Sequence, residues 1–133
     1  MEERKIRILM AKFGEGHEQA MLKLARAFGE AGFEVIYTDL QDPRAIVASA
    51  IQESVDHIGI TVLHGADIVT QFKNLFDSMK EHGISYIQVT AGGLLDVKYV
   101  PQLKSLGLVE FFPKGTTYDE LINWAKKNIK AVE

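Results

Sequence analysis

The sequence contains no cysteine, only 3 prolines and 1 tryptophan among its 133 residues. The lack of cysteine excludes disulfides, thiolate metal sites and a cysteine nucleophile. Lysine and arginine total 15 against 18 aspartates and glutamates, a net charge of −3, which provides neither a basic nucleic-acid surface nor a polybasic membrane patch. No apolar run approaches the roughly 20 residues that span a bilayer, and no signal-peptide core is visible. We therefore expect one cytoplasmic domain over residues 1–133, with no nucleic-acid and no membrane partner.

Short apolar runs alternate with amphipathic segments along the chain. Strands are predicted at 6–11, 33–38, 55–63, 84–90 and 108–112. Helices are predicted at 18–31, from Asp42-Pro43 onward, at about 66–82, at about 97–106 and from Thr117, which fits a capping box with Glu120. Strict alternation, with strands apolar on both faces, predicts an α/β fold. We expect a flavodoxin-like, Rossmann-type three-layer sandwich around a five-stranded parallel sheet of order 2-1-3-4-5.

This strand order predicts where a ligand binds. The direction in which successive strands are added to the sheet reverses between strands one and three. A crevice is therefore expected there, at the carboxyl ends of the strands. Four loops should reach it, at 12–17, 64–67, 91–96 and 113–116.

The first of these loops carries the strongest chemical signal, in Gly14-Glu15-Gly16-His17. Two glycines allow backbone to approach a ligand closely, and a carboxylate and an imidazole lie two residues apart at a helix start. A structural interpretation stands beside this one, in which the glycines only make the turn, Glu15 is a solvated charge and His17 is an N-cap. Nucleotide fingerprints do not fit, because Gln19 breaks the G-x-G-x-x-G pattern and no Walker sequence is present.

Four motifs together indicate a family. They are Lys12-x-Gly14-Glu15-x-His17, Asp56-x-x-Gly59-x-Thr61-x-Leu63, Ala91-Gly92-Gly93 and Lys114-Gly115-Thr116. With them the chain resembles, from about Ile6 to Lys126, the cobalamin-binding domain of acyl-CoA mutases. It is most similar to the separately encoded small subunit of the methylmalonyl-CoA mutase and 2-hydroxyisobutyryl-CoA mutase group. The resemblance implies adenosylcobalamin as cofactor, a radical 1,2-rearrangement of an acyl-CoA, and a large TIM-barrel subunit that binds the substrate.

The resemblance also implies roles for individual residues. His17 would be the lower axial ligand of the cobalt of cobalamin, through a neutral imidazole nitrogen. Glu15 would orient that ring, and Lys12 would extend the hydrogen-bonded chain. Thr61 would hydrogen-bond the base of the cofactor's nucleotide tail. The other implied cofactor-binding residues are Gly14, Gly16, Ala20, Leu63, His64, Ala91, Gly92, Gly93, Gly115 and Thr116.

Two departures from the family pattern keep alternatives open. The family has aspartate where this chain has Glu15, in a loop one residue longer, and glycine where it has Ala20. One alternative is therefore a degenerate cobalamin-like domain used for protein interaction. Another is a corrinoid carrier for methyl transfer, which usually has a helical cap before the first strand. A phosphoacceptor receiver is rejected, because Thr61 and Leu63 occupy the end of strand three where an aspartate is required.

Several conspicuous side chains are interpreted as structural. His57 is expected near the start of strand three, away from the ligand edge, and His82 at a helix end where a cation favours the dipole. Phe28 and Trp124 fall on amphipathic helix faces, which is typical of core or interface residues.

Overall fold

A computed structural model describes residues 4–63 and 67–132. Within these ranges strands and helices alternate as predicted. The strands are β1 Arg7–Phe13, β2 Glu34–Tyr37, β3 His57–Val62, β4 Gln88–Gly93 and β5 Glu110–Pro113. The helices are α1 Glu18–Glu30, α2 Pro43–Gln52, α3 Ile68–Glu81, α4 Val100–Leu106 and α5 Tyr118–Asn128, and a 3₁₀ turn, Val97–Tyr99, precedes α4. No helix of the described part of the chain is long and apolar enough to cross a membrane.

All strand pairs are parallel, and the sheet order is β2-β1-β3-β4-β5, which confirms the predicted flavodoxin-like fold. The three central strands are in level register. Phe13 at the end of β1 pairs with Val62 of β3, which in turn pairs with Gly93 of β4. The carboxyl ends of these strands therefore form one edge of the sheet.

The two faces of the sheet belong to separate apolar clusters, because successive residues of a strand point to opposite faces. One cluster joins the sheet to α2, α3 and α4. Its buried members include Leu9, Phe13, Ile58, Ile60, Val62 and Val89 from the strands, and Ile46, Val47, Phe72, Leu75, Met79 and Leu103 from the helices. The other cluster joins the sheet to α1 and α5, and contains Ile8, Met10, Met21, Phe28, Phe33, Ala125 and Ile129.

Local capping signals hold two of the helices where the sequence predicts them. Asp42 accepts a hydrogen bond from the Arg44 N–H at 3.4 Å, and Pro43 opens α2. Thr117 Oγ1 accepts from the Glu120 N–H at 3.1 Å, and Glu120 accepts from the Thr117 N–H, so the predicted capping box of α5 is confirmed. These side chains satisfy amide groups that have no partner inside the helix.

The predicted bounds of strand four, 84–90, were wrong. The apolar run that begins at Ile84 forms the turn after α3, where the Ile84 N–H donates to the Met79 carbonyl at 2.9 Å beyond Gly83, whose φ is 71°. Ile84 and Ile87 are buried as loop residues, and the strand itself is Gln88–Gly93. Apolar character alone did not distinguish a buried turn from a strand. Two strands also end later than predicted. β1 extends to Phe13 and contains Lys12, and β4 extends to Gly93 and contains both glycines of the Gly-Gly pair.

Candidate functional site

A cavity of about 350 Å³ lies between the sheet and the helices α1 and α5. It exists because the strand positions under these helices are small, with Gly59 and Thr61 on β3 and Thr90 and Gly92 on β4. Apolar side chains such as Met21 dominate the rest of its lining. It opens among exposed residues at the carboxyl edge of the strands, where the sequence predicts a ligand.

Nine of the residues expected to bind a cofactor line this cavity. They are His17, Ala20, Thr61, Leu63, Ala91, Gly92, Gly93, Gly115 and Thr116. The expected residues Lys12, Gly14, Glu15 and Gly16 are not part of its lining; they lie in β1 and in the loop that leads to His17. His64 lies outside the described residues.

His17 occupies the N-cap position of α1 in a left-handed backbone conformation, with φ 59° and ψ 27°. Its side chain makes no capping hydrogen bond, so the ring does not perform the N-cap role of the structural interpretation. A left-handed conformation costs a non-glycine residue on the order of 1 kcal/mol, and such strain is concentrated at functional sites. The imidazole is exposed at the cavity mouth, where it is accessible to a ligand.

The loop before His17 is tied to the segment that follows β2. Gln41 Nε2 donates to Glu15 Oε1 at 2.9 Å, and Gln41 Oε1 accepts from the Gly14 N–H at 2.8 Å. One amide side chain thus satisfies two polar groups of the loop. In this structure the hydrogen-bond donor to Glu15 is therefore Gln41, and not the ring of His17 as the resemblance implies.

Lys12 also has a different partner from the one expected. Its side chain is only 3% exposed, and Nζ donates to Glu18 Oε1 at 3.2 Å. A buried ammonium group requires a partner of this kind. A backbone N–H of Glu18 and then the ammonium of Lys12 lower the pKa of the Glu18 carboxyl. The lysine is thus connected to the acid that follows His17, and not to Glu15, which precedes it.

The two glycines of β4 are required by close backbone contacts. A Cβ at Gly92 would lie 2.9 Å from the Phe112 carbonyl oxygen. A Cβ at Gly93, whose φ is +119°, would overlap the Val62 carbonyl oxygen. These residues therefore give the cavity a wall of bare backbone, which a ligand can approach closely.

The lining also includes residues that the sequence analysis did not assign to the site, among them Phe28, His57, Thr90 and Trp124. His57 begins β3, away from the carboxyl edge of the sheet, as expected, but the cavity runs far enough down the sheet to reach it. The alternation of His57, Gly59 and Thr61 on one face of β3 was the available signal. Trp124 packs edge-on against Phe112, with ring centroids 5.3 Å apart, and lines the cavity as well.

The family of the chain follows from its sequence. The B12 binding domain family matches residues 6–122. The chain belongs to this family. Over 133 aligned residues this B12-binding domain is 33% identical to the 2-hydroxyisobutanoyl-CoA mutase small subunit of Aquincola tertiaricarbonis, a match that covers 98% of the chain and 97% of that protein. It is 28% identical to the pivalyl-CoA mutase small subunit of Xanthobacter autotrophicus, over 90% of the chain and 80% of that protein.

Longer proteins contain a similar segment. The B12-binding domain is 30% identical to part of the methylmalonyl-CoA mutase large subunit of Streptomyces virginiae, a match that covers 98% of the chain but only 18% of that protein. The chain is thus homologous to acyl-CoA mutase small subunits and to a segment of a mutase large subunit, which confirms the resemblance stated from the motifs.

Solved structures agree on the fold. A cobalamin-binding protein from Desulfitobacterium hafniense superposes with a TM-score of 0.75 at 17% identity, over 96% of this chain and 60% of that one. The chemotaxis protein CheY4 of Vibrio cholerae superposes with a TM-score of 0.72 at 15% identity, over 93% and 98%. At such identities the likeness concerns the fold alone. Cobalamin binding by this B12-binding domain rests on the family match.

Proposed function

We propose that this chain is the cobalamin-carrying subunit of an adenosylcobalamin-dependent acyl-CoA mutase, and that residues 1–133 form one cobalamin-binding domain. The observation that carries the proposal is an apolar cavity with His17 at its mouth. The backbone of His17 is left-handed, and its side chain makes no capping hydrogen bond to α1. The near full-length similarity to two mutase small subunits supports it. It also favours isomerisation over methyl transfer, since the relatives named above are mutases.

The residues present fit the nucleotide tail of cobalamin. The volume of about 350 Å³ lies within the range of about 300 to 1,000 Å³ that is usual for small-molecule sites. The bare backbone at Gly92 and Gly93 allows the tail to pass close to β4. Thr61 offers a hydroxyl to a ring nitrogen of the tail's base. Ala20, Leu63, Ala91, Gly115 and Thr116 supply the remaining proposed walls.

His17 is the proposed lower axial ligand of cobalt, through a neutral ring nitrogen. Glu15, Gly14 and Gly16 shape its loop, and Glu15 is the proposed orienting carboxylate. In that role Glu15 must also accept a hydrogen bond from the His17 ring, and its carboxylate has lone pairs for this beside the bond from Gln41. Lys12 supports the same region through Glu18.

The chemistry is divided between cofactor, this chain and a partner. When bound, adenosylcobalamin supplies the radical chemistry of the carbon-skeleton rearrangement. This chain holds the cobalt side of the cofactor, orients it and keeps water from its tail. The acyl-CoA belongs on a large catalytic subunit, proposed to be a TIM barrel. The cytoplasmic location of the assembly stays a prediction.

Electron paramagnetic resonance tests the ligand directly. We would titrate the protein with cob(II)alamin and compare unlabelled protein with protein carrying nitrogen-15 at histidine. Coordination by a histidine nitrogen changes the splitting of the cobalt signal on labelling, whereas a nitrogen of the cofactor's own base does not respond. The change is expected in wild type and absent in His17→Ala. His82→Ala is the matched control, because its exposed ring bonds to the Ser78 carbonyl at the end of α3 and does not line the cavity.

Two results would contradict the proposal. Cobalamin binding without a histidine signal would remove the axial-ligand role of His17. Mutase turnover by the purified chain alone, without a large subunit, would contradict the division of labour. The expected result is binding without turnover, and turnover only when a mutase large subunit is added.

A further inference from the structure

A buried polar pair forms part of the cavity lining, deep below the mouth. His57 and Thr90 are 1% and 9% exposed, and both line the cavity. His57 Nε2 and Thr90 Oγ1 share a hydrogen bond at 2.9 Å. The pair crosses from β3 to β4, since Thr90 is the register partner of Gly59, two residues further along β3 than His57.

The pair has hydrogen-bonding capacity to spare. Burial lowers the pKa of His57 to about 4, so the ring is neutral near pH 7 and keeps one donor and one acceptor nitrogen. Among the described residues, Thr90 is the hydrogen-bond partner of its side chain, through Nε2 alone. The Thr90 hydroxyl can likewise make more than this one bond. Its oxygen is the nearest atom, at 4.0 Å, to the position that a Cβ of Gly59 would take, so the hydroxyl borders open space.

A structural role alone does not account for two polar side chains here. The same sheet on its other face is filled by aliphatic residues such as Ile58 and Val89, which flank this pair in sequence. Burying a polar group with unused donors or acceptors costs free energy that an aliphatic residue would not cost. A ligand that uses this capacity would offset the cost.

We infer that His57 and Thr90 are specificity determinants for the base that ends the nucleotide tail of cobalamin. They favour a base with a hydrogen-bonding substituent on the edge opposite its ring nitrogens over a base that carries only methyl groups on that edge. The inference rests on the proposed function, in which the tail enters this cavity.

The register of the strands supports this assignment. Thr61, the proposed partner of a ring nitrogen of the base, lies two residues beyond Gly59 on β3, and Gly59 is level with Thr90. Two residues of a parallel strand rise about 7 Å, close to the length of a fused bicyclic base. A base held at one end by Thr61 therefore brings its other end to the level of the Thr90 hydroxyl.

Binding of three corrinoids separates this role from a purely structural one. The probes are cobalamin with its dimethylbenzimidazole base, the analogue with a 5-hydroxybenzimidazole base, and cobinamide, which lacks the tail. Trp124 reports binding by fluorescence quenching, because it is the sole tryptophan of the chain and lines the cavity. The proteins are wild type, Thr90→Val, the double variant with His57→Val, and the control Ser78→Ala, which removes a buried hydroxyl of α3 that has no hydrogen-bond partner within residues 4–63 and 67–132.

Wild type is expected to bind the hydroxyl-bearing analogue about 5- to 10-fold more tightly than cobalamin, the worth of one hydrogen bond. The double variant should lose this preference, and Thr90→Val, which keeps the side-chain volume, should lose most of it even if the double variant folds poorly. Ser78→Ala should keep it, and cobinamide should bind all four proteins alike.

Equal binding of the two tail-bearing corrinoids by wild type would overturn the inference and leave the proposed function intact. An unchanged preference in both variants would do the same. If wild type binds none of the three corrinoids, the proposed function fails and the inference fails with it.

Discussion

The two faces of the sheet differ in how completely side chains fill the space between the sheet and its helices. On the face covered by α2, α3 and α4, β3 contributes Ile58, Ile60 and Val62, all at most 2% exposed. On the face covered by α1 and α5, the same strand contributes His57, Gly59 and Thr61. One face is therefore filled by side chains, and the other keeps a cavity of about 350 Å³.

This difference shows how a small domain holds a ligand without losing its stability. Close packing on one face supplies most of the burial that stabilises the fold. The other face gives up part of that burial, and the space becomes available to a ligand. Substitutions that are chemically alike should therefore have unequal effects on the two faces.

The largest expected effect is on packing. Phe72 is 0% exposed and packs edge-on against Phe13, with ring centroids 5.0 Å apart. Phe72→Ala should lower the free energy of unfolding by about 3 to 5 kcal/mol, measured by urea denaturation. Phe28→Ala is the matched change on the cavity face, and should cost less because its ring already borders open space. Equal losses would contradict the difference between the faces.

The next effect concerns pH. Burial lowers the pKa of His57 from 6.5 to about 4, so below pH 6.5 the unfolded chain takes up a proton that the folded chain does not. Stability should therefore fall as the pH drops from 6.5 to 4, by roughly 3 kcal/mol in total. His57→Val should flatten this part of the curve, and urea denaturation at pH 7 and pH 5 measures it. If stability depended on pH equally in wild type and in His57→Val, this pH dependence would not be due to His57.

At still lower pH a second group contributes. Burial alone would raise the pKa of Asp56, but hydrogen bonds from the Arg4 side chain and from the N–H groups of Arg7 and Val132 outweigh it and lower the pKa to about 2. This depressed pKa contributes stability above pH 3.8, which should be lost as the pH falls towards 2. The same titrations, extended below pH 4, should show this loss in wild type and in His57→Val alike.

A third comparison uses two glycines of the cavity region. Gly93→Ala should cost more than about 1 kcal/mol, because its φ is +119° and its Cβ would overlap the Val62 carbonyl oxygen. Gly59→Ala should leave stability unchanged or raise it by up to about 1 kcal/mol, since the described atom nearest to its Cβ would be Thr90 Oγ1, at 4.0 Å. It should instead weaken cobalamin binding by filling the cavity, and leave cobinamide binding unaltered. Thermal unfolding and Trp124 quenching give the two readouts.

The smallest expected effects come from the helix caps. Asp42→Ala at α2 and Thr117→Ala at α5 should each cost about 1 kcal/mol. Only the second should also weaken cobalamin binding, because α5 forms a wall of the cavity. A loss of binding in Asp42→Ala at the same stability cost would show that the faces are coupled.

The sequence predicted the strand order, the helix starts and most of the cavity mouth, because those signals are local. Asp42-Pro43 and the Thr117 capping box begin helices by contacts within three residues. The cofactor motifs lie at strand ends, which a parallel sheet brings to one edge. The position of β4 was misjudged, because Ile84 and Ile87 are as apolar as a strand but are buried in a turn.

The partners of the polar side chains were beyond reach of the sequence. Glu15 bonds to Gln41, 26 residues away, and Lys12 to Glu18. Nothing in the pattern distinguishes these pairings from the expected contact with His17, because a hydrogen bond depends on positions to within a few tenths of an ångström.

By itself, the sequence determined the fold and the family, since alternating apolar periods and short motifs are properties of neighbouring residues. Only the tertiary structure decided that His57, Thr90 and Trp124 line one cavity with His17. A cavity is a shortfall of side-chain volume between a sheet and helices that are far apart in the chain. It becomes visible only when strand register and helix packing have brought those residues together.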